Sequence, residues 1–396
     1  MNLSLDMYQT MGIAVIVLLI GGWLRSKIRI IDRFCIPAPV VGGLLYAILM
    51  TFLHGFGVLN LEYDDTLKDI CMVAFFTTVG FQADFKAIKK GGKSLVIFLI
   101  LVVVLIFTQN GVALGVSRLI GVDSLLGLCT GSIPMVGGHG TAGAFGPILE
   151  DFGMQSATTI CTAAATFGLV TGSLMGGPVG QMLIKRHKLC KENEKTTKEE
   201  IVEDNDRFEA SYKRFASAIY QIAIAMALGT IVSWLLSKTG MTLPAYIGGM
   251  IIAVIMRNVG DRTSRVSIKT KEIGVVGEIS LSLFLGIAMI TLKLWQLASL
   301  AIPFLILLLA QTVVMFLFAY FVVFSVMGRD YDAAVLSSGI CGFGMGATPN
   351  AMANMQAITQ KYVFSIKAFL IVPIVGGMFV DFINSLIVTL FINILV

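Results

Sequence analysis

Residues 131–146 read GSIPMVGGHGTAGAFG, and residues 338–350 read SGICGFGMGATPN. Both stretches are rich in glycine and lie inside strongly apolar sequence. Glycine is a poor residue for the interior of a helix, so each stretch predicts a break in a helical segment. The two breaks lie roughly half a chain apart, which indicates that the protein contains two copies of one structural device.

The composition predicts a polytopic membrane protein. Hydrophobic residues make up 56% of the 396 residues and charged residues only 13%, whereas charged residues form about a quarter of a soluble domain. The mean hydropathy is +0.87. The net charge of +5 is small and lies between apolar runs, which argues against a nucleic-acid partner. The six cysteines show no metal-ligand spacing and are interpreted as small buried apolar residues.

Runs of about 20 apolar residues are long enough to span a bilayer. They predict an all-α protein with ten transmembrane helices, near residues 7–24, 36–57, 70–82, 94–117, 158–184, 215–237, 243–256, 273–292, 297–327 and from 364 onward. Basic residues follow the first, third and seventh runs, and the positive-inside rule places those loops in the cytoplasm. Both termini are therefore expected outside.

The segment 124–150 is interpreted as a re-entrant glycine-rich hairpin. If it crossed the membrane, the basic sequence KRHKLCK that begins at residue 185 would lie outside, against the positive-inside rule. A glycine-rich helix packed closely on its neighbours is the alternative. By repetition, residues 333–359 are expected to form the second hairpin.

Internal repetition divides the chain into an N-terminal five-helix repeat (1–185), a charged cytoplasmic linker (186–214) and a C-terminal five-helix repeat (215–396). Matching pairs include Gly42 with Gly248, Phe76 with Phe284, Gln109 with Gln311, Gly121 with Gly328, and Asp123 with Asp330. Because each repeat contains an odd number of crossings, the two repeats must be inverted. Inverted repeats with glycine-interrupted segments are typical of secondary transporters whose site lies near the midplane.

Broken hairpins offer two kinds of binding group. Backbone amides at the start of a half-helix suit a carboxylate, and free carbonyls at the end of a half-helix suit a sodium ion. The residues expected to bind substrate are Gly137, Gly138, His139, Gly140, Thr141, Thr348, Pro349 and Asn350. The residues expected to hold sodium are Asp381, Asn384, Gly344 and Gly346.

Three kinds of polar residue have a second interpretation. Asp381 lies in an apolar helix, where a charge costs about 3 kcal/mol or more, and this favours a functional role. The second interpretation is an acid near the helix end whose carboxylate reaches water. His139 could be protonated during transport, but a structural hydrogen bond is favoured. Gln109 and Gln311 are expected to brace helices within each half.

At these motifs the chain resembles the bacterial sodium/glutamate symporter family, over essentially its whole length. The resemblance is carried by VGGHGT at 136–141, CGFGMGATPNAMANMQAIT at 341–359 and SLSLFLGIAMITLKLWQLASLA at 280–301. It implies a ten-helix protein of the inner membrane that imports L-glutamate with sodium, as a homodimer. Val136, Ile340 and Asn350 depart from the Ser, His and Thr of the family pattern, which bears on substrate preference.

Two other functions stay open at this point. One is a sodium-coupled carrier of another small carboxylate, and the other is a cation channel with re-entrant pore loops. An enzyme is not expected, because the sequence contains neither HExxH nor GxSxG. The coupling sodium ion is the only cofactor expected.

Overall fold

The computed structural model describes residues 2–29, 31, 36–56, 60–64, 66–189, 211–238, 245–263, 267–292 and 300–395. Most of the predicted linker lies outside these ranges, as do Cys35 and Cys190. The other four cysteines are free and buried, as the sequence predicted.

Helices form almost all of the described structure. The first half contains α1 (Met7–Lys27), α2 (Ala38–Gly55), α3 (Thr66–Gln82), α4 (Phe85–Leu119), α5 (Ser124–Leu128), α6 (Ser132–Met135), α7 (Gly138–Asp151) and α8 (Ala157–His187). The second half contains α9 (Tyr212–Ser237), α10 (Ala245–Thr263), α11 (Thr270–Ile290), α12 (Ala301–Leu317), α13 (Phe324–Val326), α14 (Tyr331–Phe343), α15 (Thr348–Lys361), α16 (Ile366–Ile374) and α17 (Val380–Leu395). A π-helical turn joins α12 to α13 at Phe318–Val323, and another joins α16 to α17 at Val375–Phe379.

Eight helical stretches in the described ranges are long and apolar enough to cross a membrane. They are Met7–Lys27, Ala38–Gly55, Gly92–Leu119, Ala157–His187, Tyr212–Leu235, Thr270–Ile290, Ala301–Val326 and Ile366–Leu395. Eight of the ten predicted crossings correspond to them. The other two predicted crossings are α3 and α10, which pack against each other. Helices shielded by protein need less apolar surface than helices that face lipid.

A short parallel sheet was not predicted. Strand β1 (Asn2–Leu5) pairs in register with strand β2 (Asn60–Tyr63), so that Asn2 lies opposite Asn60 and Leu5 opposite Tyr63. Each strand has only four residues. Such a length is too short to show a clear alternation of apolar and polar side chains.

The helices are arranged in two bundles. The first bundle contains α1, α2 and α3 with α9, α10 and α11, and the second contains α4 to α8 with α12 to α17. Contacts between the bundles are made by α3, α10 and α11 on one side and by α7, α17 and the second π-helical turn on the other. Each bundle therefore takes helices from both halves of the sequence.

Small and aromatic residues meet where the bundles touch. A Cβ atom at Gly143 of α7 would lie 2.7 Å from the Phe284 ring of α11. Tyr246 of α10 packs edge-on against Phe145 of α7, with ring centroids 5.9 Å apart. Because Gly143 has no side chain, the Phe284 ring can lie directly against the α7 backbone.

Matching helices of the two sequence halves pack alike. Gly42 of α2 lies against the α1 backbone at Val17, and Gly248 of α10 lies against the α9 backbone at Gly229. A Cβ atom at either position would overlap a backbone carbonyl oxygen. Both helix pairs therefore depend on glycine for their close approach.

The turns before the two broken segments are also alike. Gly121 and Gly328 have φ angles of +72° and +117°, in the region that favours glycine. Two residues later, Asp123 and Asp330 cap α5 and α14 by accepting backbone N–H groups at 2.8 and 2.7 Å. These contacts agree with the internal repetition in the sequence.

The interpretation of Gln109 and Gln311 as braces within each half was wrong. Nε2 of Gln109 donates to the Gly344 carbonyl at 2.7 Å, and Nε2 of Gln311 donates to the Gln109 carbonyl at 2.9 Å. Both bonds join the two halves of the sequence. The physical reason is that α4 packs against elements of the second half: α12, which carries Gln311, and the end of α14, where Gly344 lies.

Candidate functional site

The two glycine-rich segments meet at their breaks. In the first segment, α7 begins at Gly138, whose φ angle is +59°. In the second, residues 344–347 separate α14 from α15. A Cβ atom at Gly138 would lie 2.9 Å from the carbonyl oxygen of Gly346. The two breaks, called the tips below, are thus in direct backbone contact.

Helix α8 forms a wall beside both tips. A Cβ atom at Gly172 would lie 2.6 Å from the Cys341 carbonyl oxygen, and one at Gly168 would overlap the Met345 carbonyl. The smallest residue is therefore needed at both positions for α8 to reach α14 and the second tip. Sequence analysis did not select these glycines, although their spacing of four residues places them on one helix face.

Asn350 fastens the second tip to this wall. Its Nδ2 donates to the Leu169 carbonyl at 3.1 Å and to Oγ of Ser173 at 2.7 Å. Its Oδ1 is buried.

Asn384 of α17 has a similar position at the first tip. Its Nδ2 donates to the Ser132 carbonyl at 3.1 Å. Its Oδ1 is buried without a donor in the described structure, which costs about 1–3 kcal/mol unless a donor or a cation binds there. Asn110 of α4 completes the group, since it exchanges two hydrogen bonds of 2.8 Å with Ser132. Sequence analysis missed Asn110 and Ser132. Asn110 could have been found as a polar residue within an apolar run.

The remaining residues expected to bind substrate have different surroundings. His139 is 5% exposed, and its Nε2 lies 2.9 Å from Oγ1 of Thr166, which is the hydrogen bond that the structural interpretation requires. Thr141 is buried one turn below Gly137 and donates its backbone N–H to that residue at 3.2 Å. Gly140 lies against the ring of Phe75.

Pro349 and Thr348 occupy the first turn of α15. Pro349 is exposed and Thr348 is half-buried. A Cβ atom at Gly376, in the second π-helical turn, would lie 3.2 Å from Oγ1 of Thr348. π-Helical turns are frequent at functional sites, and this one places Thr348 beside the helical stretch that carries Asp381.

Asp381 is partly buried at the start of α17. It lies 15 residues into the stretch Ile366–Leu395, or about 22 Å along it at 1.5 Å per residue, and so is near the middle of that membrane-length stretch. Within the described ranges its carboxylate has no hydrogen bond or ion pair. In those ranges, no three or more His, Cys, Asp and Glu residues lie close enough together to hold a metal ion. A cation here would be held mainly by amide and backbone oxygens.

Three of the four predicted sodium ligands lie at or beside the tips. Asn384 lies at the first tip and Gly346 faces Gly138, which brings these two near the contact between the tips. The Gly344 carbonyl accepts from Gln109 and retains a second lone pair for an ion.

Known proteins are similar to this chain over nearly its whole length. Residues 3–364 match the family model described as sodium/glutamate symporter. A sodium/glutamate symporter from Haemophilus influenzae is 40% identical over 393 residues, which cover 97% of this chain and 96% of that protein. One from Escherichia coli K12 is 40% identical over 398 residues, covering 98% and 97%.

A solved structure, that of the sodium proton antiporter MjNhaP1 from Methanocaldococcus jannaschii at pH 8, aligns with 98% of this chain and 97% of its own. The identity is 15% and the TM-score is 0.44. The family match covers most of the chain, and the two relatives cover nearly all of it. The chain therefore belongs to the sodium/glutamate symporter family.

Proposed function

We propose that this chain is a secondary active transporter that takes up L-glutamate together with sodium ions across the inner membrane of the cell. The observation that carries the proposal is the 40% identity over 97–98% of the chain to proteins named sodium/glutamate symporter. Sodium serves as the coupling ion.

The proposed topology has ten crossings, with α3 and α10 as crossings that are shielded by protein. Segments α5–α7 and α14–α15 enter as re-entrant hairpins from opposite sides, and both chain termini lie outside. This topology is supported by the matched turns at Gly121 and Gly328. It also keeps the basic loops in the cytoplasm, as the positive-inside rule requires.

The proposed binding site lies at the contact between the tips. Glutamate carboxylates are bound by N–H groups at the starts of α7 and α15, because a helix N-terminus carries partial positive charge. Thr141, Thr348 and Asn350 add hydroxyl and amide groups. Sodium is held by Asp381, Asn384 and tip carbonyls. The buried Oδ1 atom of Asn384 supports this assignment, since it lacks a donor in the described structure.

Transport then requires this site to open to each side in turn. The division into two bundles suggests that the bundle holding both tips moves against the other. Inverted repeats permit such a change, since the halves can exchange conformations. The protein is expected to be a homodimer, as the family resemblance implies.

Uptake of radioactive glutamate by proteoliposomes tests the function. A symporter gives saturable uptake that needs an inward sodium gradient and stops when an ionophore dissipates it. Uptake that rises linearly with glutamate, or sodium current without glutamate, would indicate a channel. Sodium-driven uptake of another carboxylate, with glutamate unable to compete, would indicate a different substrate.

A further inference from the structure

A cavity of about 460 Å³ lies between the two bundles. The first bundle contributes Lys68 and Thr291 to its lining, and the second contributes Gly143, Glu150 and Thr158. The start of α3, the end of α11, the end of α7 and the start of α8 meet here. In the proposed topology these four helix ends are all at the outer face. The volume lies in the usual range of about 300–1,000 Å³ for small-molecule sites.

The floor of the cavity lies near the binding site. Gly143 is five residues after Gly138 in α7, which corresponds to about 7.5 Å of helix. The Phe284 ring rests against Gly143 at this end of the cavity. A ligand beside Gly143 is thus about one and a half turns of α7 away from the proposed substrate site.

Lys68 is the cation of this cavity. It is only 8% exposed, although lysine is among the residues that are least often buried. Charge interactions are stronger in such a partly desolvated position than in bulk water. The matching position of the second repeat, counted from the pair Phe76 and Phe284, is Val276. The second repeat therefore has no cation at the matching position.

An acid lies at the rim. Glu150 is exposed, and its Oε1 accepts the backbone N–H of Thr158 at 3.0 Å. This bond holds the Glu150 carboxylate beside the cavity. An acidic amino acid carries both carboxylates and an ammonium group, so it complements a cavity that has one cation and one anion.

We propose that this cavity is an outer capture site for an acidic amino acid, in which the Lys68 ammonium binds a carboxylate. Glu150 at the rim receives the ammonium group of the substrate. The inference rests on the proposed function, because it assumes that glutamate arrives from this face. Substrate bound here waits above Phe284 and reaches the tips when the bundles move apart.

Kinetics of uptake test the site. We expect Lys68→Met to raise the KM for glutamate about tenfold, since a charge-assisted hydrogen bond to the carboxylate is lost, and to change kcat less than about twofold. Lys68→Arg keeps the charge and should stay near the wild-type KM. Lys238→Met is the matched control, because Lys238 is an exposed lysine at the outer end of α9, over the Trp234 ring. An unchanged KM in Lys68→Met would overturn the proposal.

Glutamate binding to the cavity can also be measured without the Lys68→Met variant, in case that variant does not fold. Thr291→Cys is placed in the cavity of a variant whose native cysteines are replaced, and its reaction with a membrane-impermeant thiol reagent is followed without sodium. Glutamate should slow the labelling, and succinate, which lacks the ammonium group, should slow it less. Labelling that glutamate does not slow, in a preparation that shows sodium-driven uptake, would refute the capture site alone. Absence of uptake in the wild type would instead refute the proposed function.

Discussion

Asp381 is the residue on which sodium coupling is predicted to depend most. Replacing Asp381 by Asn keeps the size and one acceptor oxygen but removes the charge. We expect the sodium concentration for half-maximal uptake to rise about tenfold, which corresponds to 1.4 kcal/mol. The measurement is glutamate uptake at graded sodium concentrations with constant ionic strength. The exposed Asp151 at the end of α7 gives the control Asp151→Asn, which should behave as the wild type. An unchanged sodium dependence in Asp381→Asn would assign the carboxylate to structure.

The ion pair between Glu272 and Arg214 is predicted to support stability rather than transport. Glu272 at the start of α11 is 1% exposed and forms an ion pair with Arg214 of α9, which is 49% exposed. Removing the cation leaves a buried carboxylate without its counter-charge, which costs about 3–5 kcal/mol for fully buried pairs and less here because Arg214 is half-exposed. Arg214→Met should therefore lower the melting temperature in detergent.

The double variant Arg214→Met/Glu272→Met tests the cause. Replacing both partners removes the unpaired charge, so its melting temperature should be higher than that of Arg214→Met alone. Melting temperatures that fall additively would show that the two side chains act independently.

At the scale of the elements, sequence reasoning predicted the long helices because twenty apolar residues in a row leave few other structures possible. The breaks at the tips were also predictable, since the glycines there interrupt apolar sequence. The pairing of β1 with β2 was not, because the two strands are more than fifty residues apart. The partner of Gln109 was not predictable either, since it depends on which helix lies beside α4.

The first tip depends on the absence of a side chain at Gly137. A Cβ atom there would collide with Thr141 and lie 2.7 Å from Nδ2 of Asn384. We expect Gly137→Val to reach the membrane but to lose most glutamate uptake. Gly111→Val in α4 is the matched control, because nothing lies within 4 Å of a Cβ atom at Gly111. Normal uptake by Gly137→Val, measured at equal membrane content, would show that the tip does not need glycine.

At the scale of the molecule, internal repetition predicted two sequence halves, but the bundles do not coincide with them. α1 to α3 pack with α9 to α11, and the remaining helices form the other bundle. Internal repetition identifies which helices of the two halves correspond to each other. Which helices form one bundle depends instead on how small residues such as Gly80 fit against a helix of the other half. Gly80 of α3 lies against the Met250 carbonyl of α10. A single sequence does not contain that information.

Movement between the bundles is the last prediction. Gly143 of the second bundle and Phe284 of the first lie in contact. After the native cysteines have been replaced, the variant Gly143→Cys/Phe284→Cys can be linked by a short bifunctional methanethiosulfonate reagent, which forms a disulfide with each cysteine and releases sulfinate. If transport needs the bundles to separate, uptake should be present before linking, lost after it and restored by a reductant.

The control link lies within one bundle. Tyr46 of α2 and Tyr63 of β2 share a hydrogen bond of 2.8 Å between their hydroxyl groups, and Tyr46→Cys/Tyr63→Cys should keep its uptake when linked. Strand β2 packs against α2 of the first bundle, so the two elements move together and this link restrains no motion between the bundles. Uptake that survives the link between Gly143→Cys and Phe284→Cys would place the opening of the site within a bundle, at the tips themselves.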